Sequence, residues 1–170
     1  PMIEIRHFDH DFFGMDSVNL DDDLLTLVKK YPNFFKIGFD KAMLKNRFYD
    51  TEIRELYDAV DSVFSSAKQL DIELYRAFQY YYHHFESHDS LKIYTWVSNF
   101  ERLDPILVSE NTLLISLDMY LGSESHFYKT APDYIKQRFD KMYILSDLFR
   151  SYFSSNNPLS DNKSLLACIL

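Results

Sequence analysis

The spacing of apolar residues changes along this chain, and that change constrains the fold more than any other feature. Through the first half, apolar side chains recur every three or four residues, as on a helix face that packs against a core. From Leu91 the pattern differs, because the β-branched and aromatic run Ile93–Val97 is typical of a strand. We therefore expect an α+β fold that is mostly helical. The clearest helical stripe follows the cap candidates Asp50 and Thr51 and consists of Ile53, Leu56, Tyr57, Val60, Val63 and Phe64.

Three other segments of the first half have recognisable patterns. Met2–Phe8 alternates and is predicted to be a strand with Ile3, Ile5 and His7 on one face. Leu20–Tyr31 is predicted to be a helix, since three aspartates near its start and two lysines near its end complement the helix dipole. Asp71–Phe85 carries a wide aromatic face, which we interpret as core packing rather than a ligand groove.

A hairpin is predicted in the second half of the chain. Pro105–Val108 and Thr112–Leu117 are apolar and flank the three turn residues Ser109–Asn111. These strands predict a small antiparallel sheet. Thr112–Leu117 is the candidate edge strand, which a partner could extend by strand addition. The alternative is a central strand buried on both faces, because periodicity does not order strands.

Helical patterns return after Gly122. Helices are predicted over Asp133–Phe139 and Lys141–Phe153, and a third from Ser160 to Leu170. The last stretch, Ser164–Leu170, is apolar and has no cap. We therefore expect residues 1–170 to form a single domain that is the N-terminal part of a longer ectodomain.

Composition excludes several classes of function. The 26 acidic residues against 18 Lys and Arg give a formal charge of −8 and no basic cluster, which argues against nucleic acid as a partner. With only 3 glycines, the chain has no Gly-rich loop to cradle a nucleotide phosphate, and no cofactor is expected. Its one cysteine, Cys168, excludes an internal disulfide. No apolar run approaches the roughly 18 residues of a membrane span.

Catalytic motifs are weak in this sequence. His84 and His88 have the spacing of two zinc ligands on one helix face, but Glu86 is not in the metalloprotease position. A solvated helix end explains the pair better, and a surface terminus explains the segment His7-Phe8-Asp9-His10-Asp11 as well as a functional imidazole–carboxylate pair does. Ser116 and Ser146 lack the Gly-x-Ser-x-Gly context of a hydrolase nucleophile. We therefore predict no catalytic residue and no metal ligand.

One long stretch resembles a known family. Leu113–Gly122, followed by His126–Tyr128 and Pro132–Lys136, is similar to the signature of the gliding motility lipoprotein GldB family. Ile5–Phe13 and Lys30–Phe35 resemble the start of the same family, so the likeness covers nearly the whole chain.

The resemblance implies a lipoprotein of the bacterial cell envelope that faces the periplasm. Its lipid anchor would lie outside this chain, and its partners would be envelope proteins of a gliding or secretion apparatus. Within the resembling stretch, Ser116, Asp118, Tyr120 and Tyr128 are the expected partner-binding residues.

The chain is also similar to zincin-like peptidases. In that plan Thr112–Leu117 takes the place of the substrate-binding edge strand, and Lys141–Phe153 takes the place of the zinc helix. Ser146 and Arg150 then stand where two histidines would be, with Asp147 in place of the glutamate. Because a guanidinium has no lone pair to offer zinc, the resemblance implies a degenerate zincin-like scaffold without peptidase activity.

Three functions compete at this point. The leading hypothesis is a non-catalytic, membrane-tethered envelope protein that binds protein partners. The second is a peptidase or hydrolase with atypical metal ligands, drawn from His84, His88 and residues beyond Leu170. The third is an α+β domain with no envelope role.

Overall fold

The computed structural model describes residues 3–36, 38, 40–85, 90–101 and 104–156, and the structural statements below concern these residues. None of the helices among them is both long and apolar enough to cross a membrane. The strands are β1 (Ile3–His7), β2 (Leu91–Trp96), β3 (Ile106–Ser109) and β4 (Thr112–Ser116). The helices are α1 (Phe8–Phe13), α2 (Leu20–Lys30), α3 (Pro32–Lys36), α4 (Lys41–Tyr49), α5 (Thr51–Val63), α6 (Ala67–His84), α7 (Asp133–Lys136) and α8 (Ile144–Asn156), and 3₁₀ turns cover Leu117–Tyr120, His126–Tyr128 and Lys141–Tyr143.

The four strands form one mixed sheet in the order β1-β2-β4-β3. The predicted α+β class is confirmed, but the prediction of a purely antiparallel sheet is wrong. Strand β2 runs parallel to both β1 and β4, and only β3 and β4 are antiparallel. Helices α1 to α6 lie between β1 and β2, and a helical crossover of this kind is what parallel pairing requires.

The predicted hairpin is present, with a shorter turn than expected. Ser109 pairs with Thr112, which leaves a two-residue turn of Glu110 and Asn111. Glu110 has a φ of 49°. A two-residue hairpin turn needs a positive φ of this kind to match the twist of its strands, and that requirement fixes the register.

Strand β4 is a central strand, so the prediction that Thr112–Leu117 forms the edge is wrong. It lies between β2 and β3, and all five residues of β4 are buried. The uninterrupted apolar run Leu113–Ile115 is what a strand covered on both faces needs. The sheet's edge strands in the described chain are β1 and β3.

The long helices follow their apolar stripes. In α5 the Asp50 carboxylate accepts hydrogen bonds from the backbone N–H groups of Glu52 and Ile53, as the cap pattern predicted. Helix α2 ends one residue before the predicted boundary, and α6 begins at Ala67, four residues before the predicted start at Asp71. The aromatic face of α6 is divided, because Phe78 is buried whereas Tyr75 is exposed.

The segment after Gly122 is only partly as predicted. Helix α7 has a single turn, while the predicted helix over Lys141–Phe153 appears as a 3₁₀ turn that continues into α8. The predicted helix from Ser160 to Leu170 lies outside the described residues.

Aromatic rings join the helices to the sheet. The Phe8 and Phe34 rings stack with their centroids 3.9 Å apart, and Phe34 meets the edge of Trp96 at 5.7 Å. Tyr31 packs edge-on against Tyr94 of β2 at 5.2 Å. This core holds the parallel strands in place, so the residues that follow their carboxyl ends have fixed positions.

Candidate functional site at the carboxyl end of strand β4

Because β1, β2 and β4 are parallel, their carboxyl ends lie at one edge of the sheet, where α/β proteins commonly place their sites. Beyond β4 there is a cleft of about 320 Å³, between the residues that follow β4 and those that precede β3. Its polar and aromatic lining includes Asp104, Tyr120, Tyr134, Arg138, Asp147 and Arg150.

Asp118 fixes the chain behind this cleft. Its side chain is buried and accepts hydrogen bonds from the Ser98 backbone N–H at 2.7 Å, the Ser98 hydroxyl at 2.8 Å and the Phe100 N–H at 3.1 Å. These bonds hold a tight turn after β2 in which Asn99 and Phe100 both have positive φ. Burial raises the pKa of Asp118 above its usual range, although the donors from Ser98 and Phe100 oppose that rise.

Tyr128 and Ser116 tie neighbouring segments to the same place. The Tyr128 hydroxyl donates to the backbone carbonyl of Asp118 and accepts from the Leu121 N–H at 2.9 Å. Burial raises the pKa of Tyr128 above its usual range. Ser116 accepts a hydrogen bond from the Trp96 indole N–H at 3.0 Å, which links the ends of β4 and β2.

A charged cluster forms the wall of the cleft. The side chain of Asp147, on α8, is only 6% exposed, and its Oδ1 accepts hydrogen bonds from Arg138 at 3.1 Å and from Arg150. Its Oδ2 accepts from the Tyr120 hydroxyl at 3.1 Å. Burial and the Asp147 carboxylate both raise the pKa of Tyr120. We call Asp147, Arg138 and Arg150 the arginine clamp.

The arginine clamp has more positive charge than its own carboxylate neutralises. Both guanidinium side chains are 54% exposed, and the described bonds to Asp147 use one nitrogen of each. A guanidinium has five N–H donors arranged to bind carboxylate or phosphate oxygens. The cleft, whose lining also includes Asp104, can therefore bind an anionic group.

The four predicted partner-binding residues do meet at this end of the sheet. Their side chains are all buried, and their polar atoms bond within the chain: these residues are Ser116, Asp118, Tyr120 and Tyr128. Their role in partner binding stays a prediction. In the structure they position the backbone and the clamp that line the cleft.

Sequence reasoning named two residues of the clamp but did not predict that the three residues form a site. Asp147 and Arg150 were assigned only through the zincin-like register, although their three-residue spacing on a helix is itself a signal for an ion pair. Arg138 joins them from the segment between α7 and α8, and no spacing rule indicates that contact. Ser146 is exposed and donates to the Tyr143 carbonyl at 2.9 Å.

Only one of the two histidines of the weak zinc motif, His84, lies within the described residues. His84 is the last residue of α6, and its ring lies 4.2 Å from that of Tyr80. His88 and Cys168 are outside the described residues. Within the described ranges, no three His, Cys, Asp or Glu side chains are placed to hold a metal ion.

The segment after β1 differs from its predicted role as a surface terminus. Asp9 and Phe8 begin α1 and are buried, and Asp9 contacts Thr95 of β2. The alternation of the strand ends at His7, because the helix turns Asp9 towards the core.

Comparison with known proteins gives one match. The family model described as gliding motility protein GldB matches residues 2–170. No curated protein and no solved structure matches the chain.

Proposed function

The chain belongs to the gliding motility protein GldB family, and from this membership we propose that it is the periplasm-facing part of a lipoprotein of the bacterial cell envelope. A lipid anchor outside this chain would tether it to the membrane. It would serve a gliding or secretion apparatus by binding an envelope protein, without catalysis.

The chemistry of α8 supports a non-catalytic role. In the zincin-like plan this helix would carry the zinc ligands, yet it presents Ser146, Asp147 and Arg150 at those positions. Arg150 cannot coordinate zinc, and Asp147 already accepts bonds from two guanidiniums and a phenol. We therefore propose that any zincin-like ancestry survives only in the order of elements along the chain, since β4 is central in the sheet and α8 presents no histidines at the zinc-ligand positions.

The arginine clamp is the observation that supports the proposal of partner binding. Two half-exposed guanidiniums, held in place by one buried carboxylate, form a preorganised receptor for a partner's carboxylate. The chain as a whole has a charge of −8, which repels extended acidic surfaces. The group recognised is therefore a single Asp, Glu or C-terminal carboxylate, inserted beside the exposed ring of Tyr134.

Site-specific photo-crosslinking tests this proposal in cells that make the full lipoprotein. Tyr134 lines the cleft and is 74% exposed, so a photoreactive residue placed there should form a defined adduct with one envelope protein. Tyr75, which is exposed on α6, is the control position. The adduct at position 134 should disappear with Arg138→Ala and persist with Arg76→Ala, a change at an exposed arginine outside the cleft.

Two results would contradict the proposal. One is the same set of adducts from positions 134 and 75, or an adduct that Arg138→Ala does not weaken. The other is hydrolysis of a peptide library that is lost with His84→Ala, since this result would support the atypical peptidase instead.

A further inference from the structure

Four polar side chains form a continuous chain of contacts at the carboxyl end of β1. His7 Nε2 lies 3.1 Å from Asp71 Oδ1 on α6, and His7 Nδ1 lies 3.0 Å from Thr95 Oγ1 on β2. Thr95 in turn contacts Oδ1 of Asp9 on α1. We call Asp71, His7, Thr95 and Asp9 the β1 relay.

The β1 relay extends from a cleft into the core. Asp9 is 1% exposed and Thr95 is 0% exposed, whereas the His7 and Asp71 side chains are 21% and 30% exposed. His7 lines a cleft of about 570 Å³, which is separate from the cleft of the arginine clamp. A proton from solvent can therefore reach His7 without any movement of the core.

A count of hydrogens shows what the relay must hold. Three contacts between polar atoms need three hydrogens. The Thr95 hydroxyl supplies one and a neutral His7 imidazole supplies one, while ionised Asp9 and Asp71 supply none. One contact would then bring two lone pairs together, in or near a buried part of the protein.

One additional proton satisfies all three contacts in either of two arrangements. In the first, His7 is an imidazolium that donates to Asp71 and Thr95, and Thr95 donates to Asp9. In the second, protonated Asp9 donates to Thr95, Thr95 donates to His7 Nδ1, and His7 Nε2–H donates to Asp71. The two interconvert when a proton passes from His7 Nδ1 to Thr95 Oγ1 and the hydroxyl's own proton passes to Asp9 Oδ1.

Burial of Asp9 supports this count. In the described part of the chain no Lys or Arg pairs with Asp9, and an unpaired buried carboxylate is costly. Burial accordingly raises the pKa of Asp9, against the opposing effects of the Thr95 hydrogen bond and of nearby His10 and His7. The second arrangement removes the buried charge by protonating Asp9. The first leaves Asp9 ionised but places an imidazolium on the other side of the Thr95 hydroxyl.

The other charged or titratable side chains near His7 on β1, α1 and α2 have carboxylate partners. The His10 ring on α1 lies 5.7 Å from the His7 ring and faces Asp61 of α5 at 3.8 Å. Arg6, adjacent on β1, pairs with Glu4, and Lys30 of α2 pairs with Asp11. These pairs leave Asp71 as the carboxylate in contact with His7.

We propose that Asp9, Thr95 and His7 form a proton-binding site that holds one shared proton at neutral pH and exchanges it with solvent through His7. The site links β1 and α1 to β2, and Asp71 connects His7 to α6. The charge of the partly exposed imidazole and that of the buried acid therefore change together.

Spectroscopy of the intact domain tests the proposal directly. At neutral pH, ¹⁵N NMR of the His7 imidazole should show two protonated nitrogens, or infrared difference spectra should show an Asp9 carboxylic acid band that Asp9→Asn removes. As the pH rises, the His7 and Asp9 signals should change with one common midpoint, because they release the same proton. His10→Gln should leave this behaviour in place.

Two substitutions at Thr95 provide matched variants. Thr95→Ser keeps the hydroxyl and should keep the common midpoint, whereas isosteric Thr95→Val should split it into two. A neutral His7 without an Asp9 acid band at neutral pH would overturn the proposal, and so would separate midpoints in the unmodified protein. Both results come from unmodified protein, so they do not depend on whether the valine variant folds.

Discussion

Asp118→Asn should destabilise the protein by about 2–4 kcal/mol, although it changes only one oxygen into an amide nitrogen. The Ser98 N–H bonds to Oδ1 of Asp118, while the Ser98 hydroxyl and the Phe100 N–H both bond to Oδ2. An asparagine keeps one acceptor oxygen, which can still serve Ser98. The asparagine NH2 group then takes the place of Oδ2, so two hydrogen-bond donors, this NH2 group and the Phe100 N–H, face each other without an acceptor.

The magnitude follows from those bonds. Hydrogen bonds to a charged group contribute about 1.5–3 kcal/mol each, and a buried donor without an acceptor costs about 1–3 kcal/mol. The Ser98 hydroxyl can rotate to accept from the new amide, so the loss falls on the Phe100 N–H. Because burial raises the pKa of Asp118, removal of its charge offsets part of this loss.

Chemical denaturation followed by far-UV circular dichroism gives the free energy of unfolding. The control is Asp133→Asn, since the Asp133 side chain is 93% exposed and its ion pair with Lys136 should contribute about 0.5 kcal/mol or less. Ser98→Ala, alone and combined with Asp118→Asn, completes a double-mutant cycle. If Asp118→Asn and Asp133→Asn change stability equally, Asp118 does not organise the turn and the reasoning fails.

Two further predictions concern the sheet and the helices. Ile115→Pro should unfold the domain, since it removes a ladder donor and a fully buried side chain from the central strand β4; a cooperative transition in this variant would place β4 at an edge after all. Burial and Asp61 raise the pKa of Tyr57 to about 12. The free energy of unfolding should therefore fall between about pH 10 and pH 12, because Tyr57 ionises first in the unfolded chain. Tyr57→Phe should reduce that loss in alkaline denaturation curves, and an unchanged curve would contradict it.

Local patterns predicted the elements better than their arrangement. The stripe on α5 and the charges at the ends of α2 reflect contacts within one helix, and both helices are present. Pairing of β1 with β2 joins Ile3 to Leu91 across about half of the chain, and no local spacing encodes that partnership. The apolar run in β4 was compatible with an edge or a centre, and it is the parallel pairing with β2, opposite the predicted hairpin partner β3, that makes β4 central.

The site was less predictable than the fold for the same reason. Asp118 was singled out, but its donors come from the turn at Ser98, twenty residues earlier. That turn places Phe100 at a φ of 55°, a conformation that bulky residues rarely adopt. The sequence pattern around Phe100 does not predict it. The clamp likewise depends on Arg138, which reaches Asp147 only because the chain returns from α7 to α8.

The predicted partner-binding residues and the two arginines of the clamp should contribute to partner binding in different ways. Asp118, Tyr120 and Tyr128 are buried and set the geometry of the cleft, whereas Arg138 and Arg150 retain exposed donors. A substitution at one of these buried positioning residues should therefore lower both the stability of the protein and its binding to the partner. Loss of a contacting arginine should weaken binding with a smaller effect on stability, because Asp147 keeps its second guanidinium. If Asp118→Asn and Arg138→Ala lower stability and crosslinking in the same proportion, the clamp is a structural ion pair and the partner binds elsewhere.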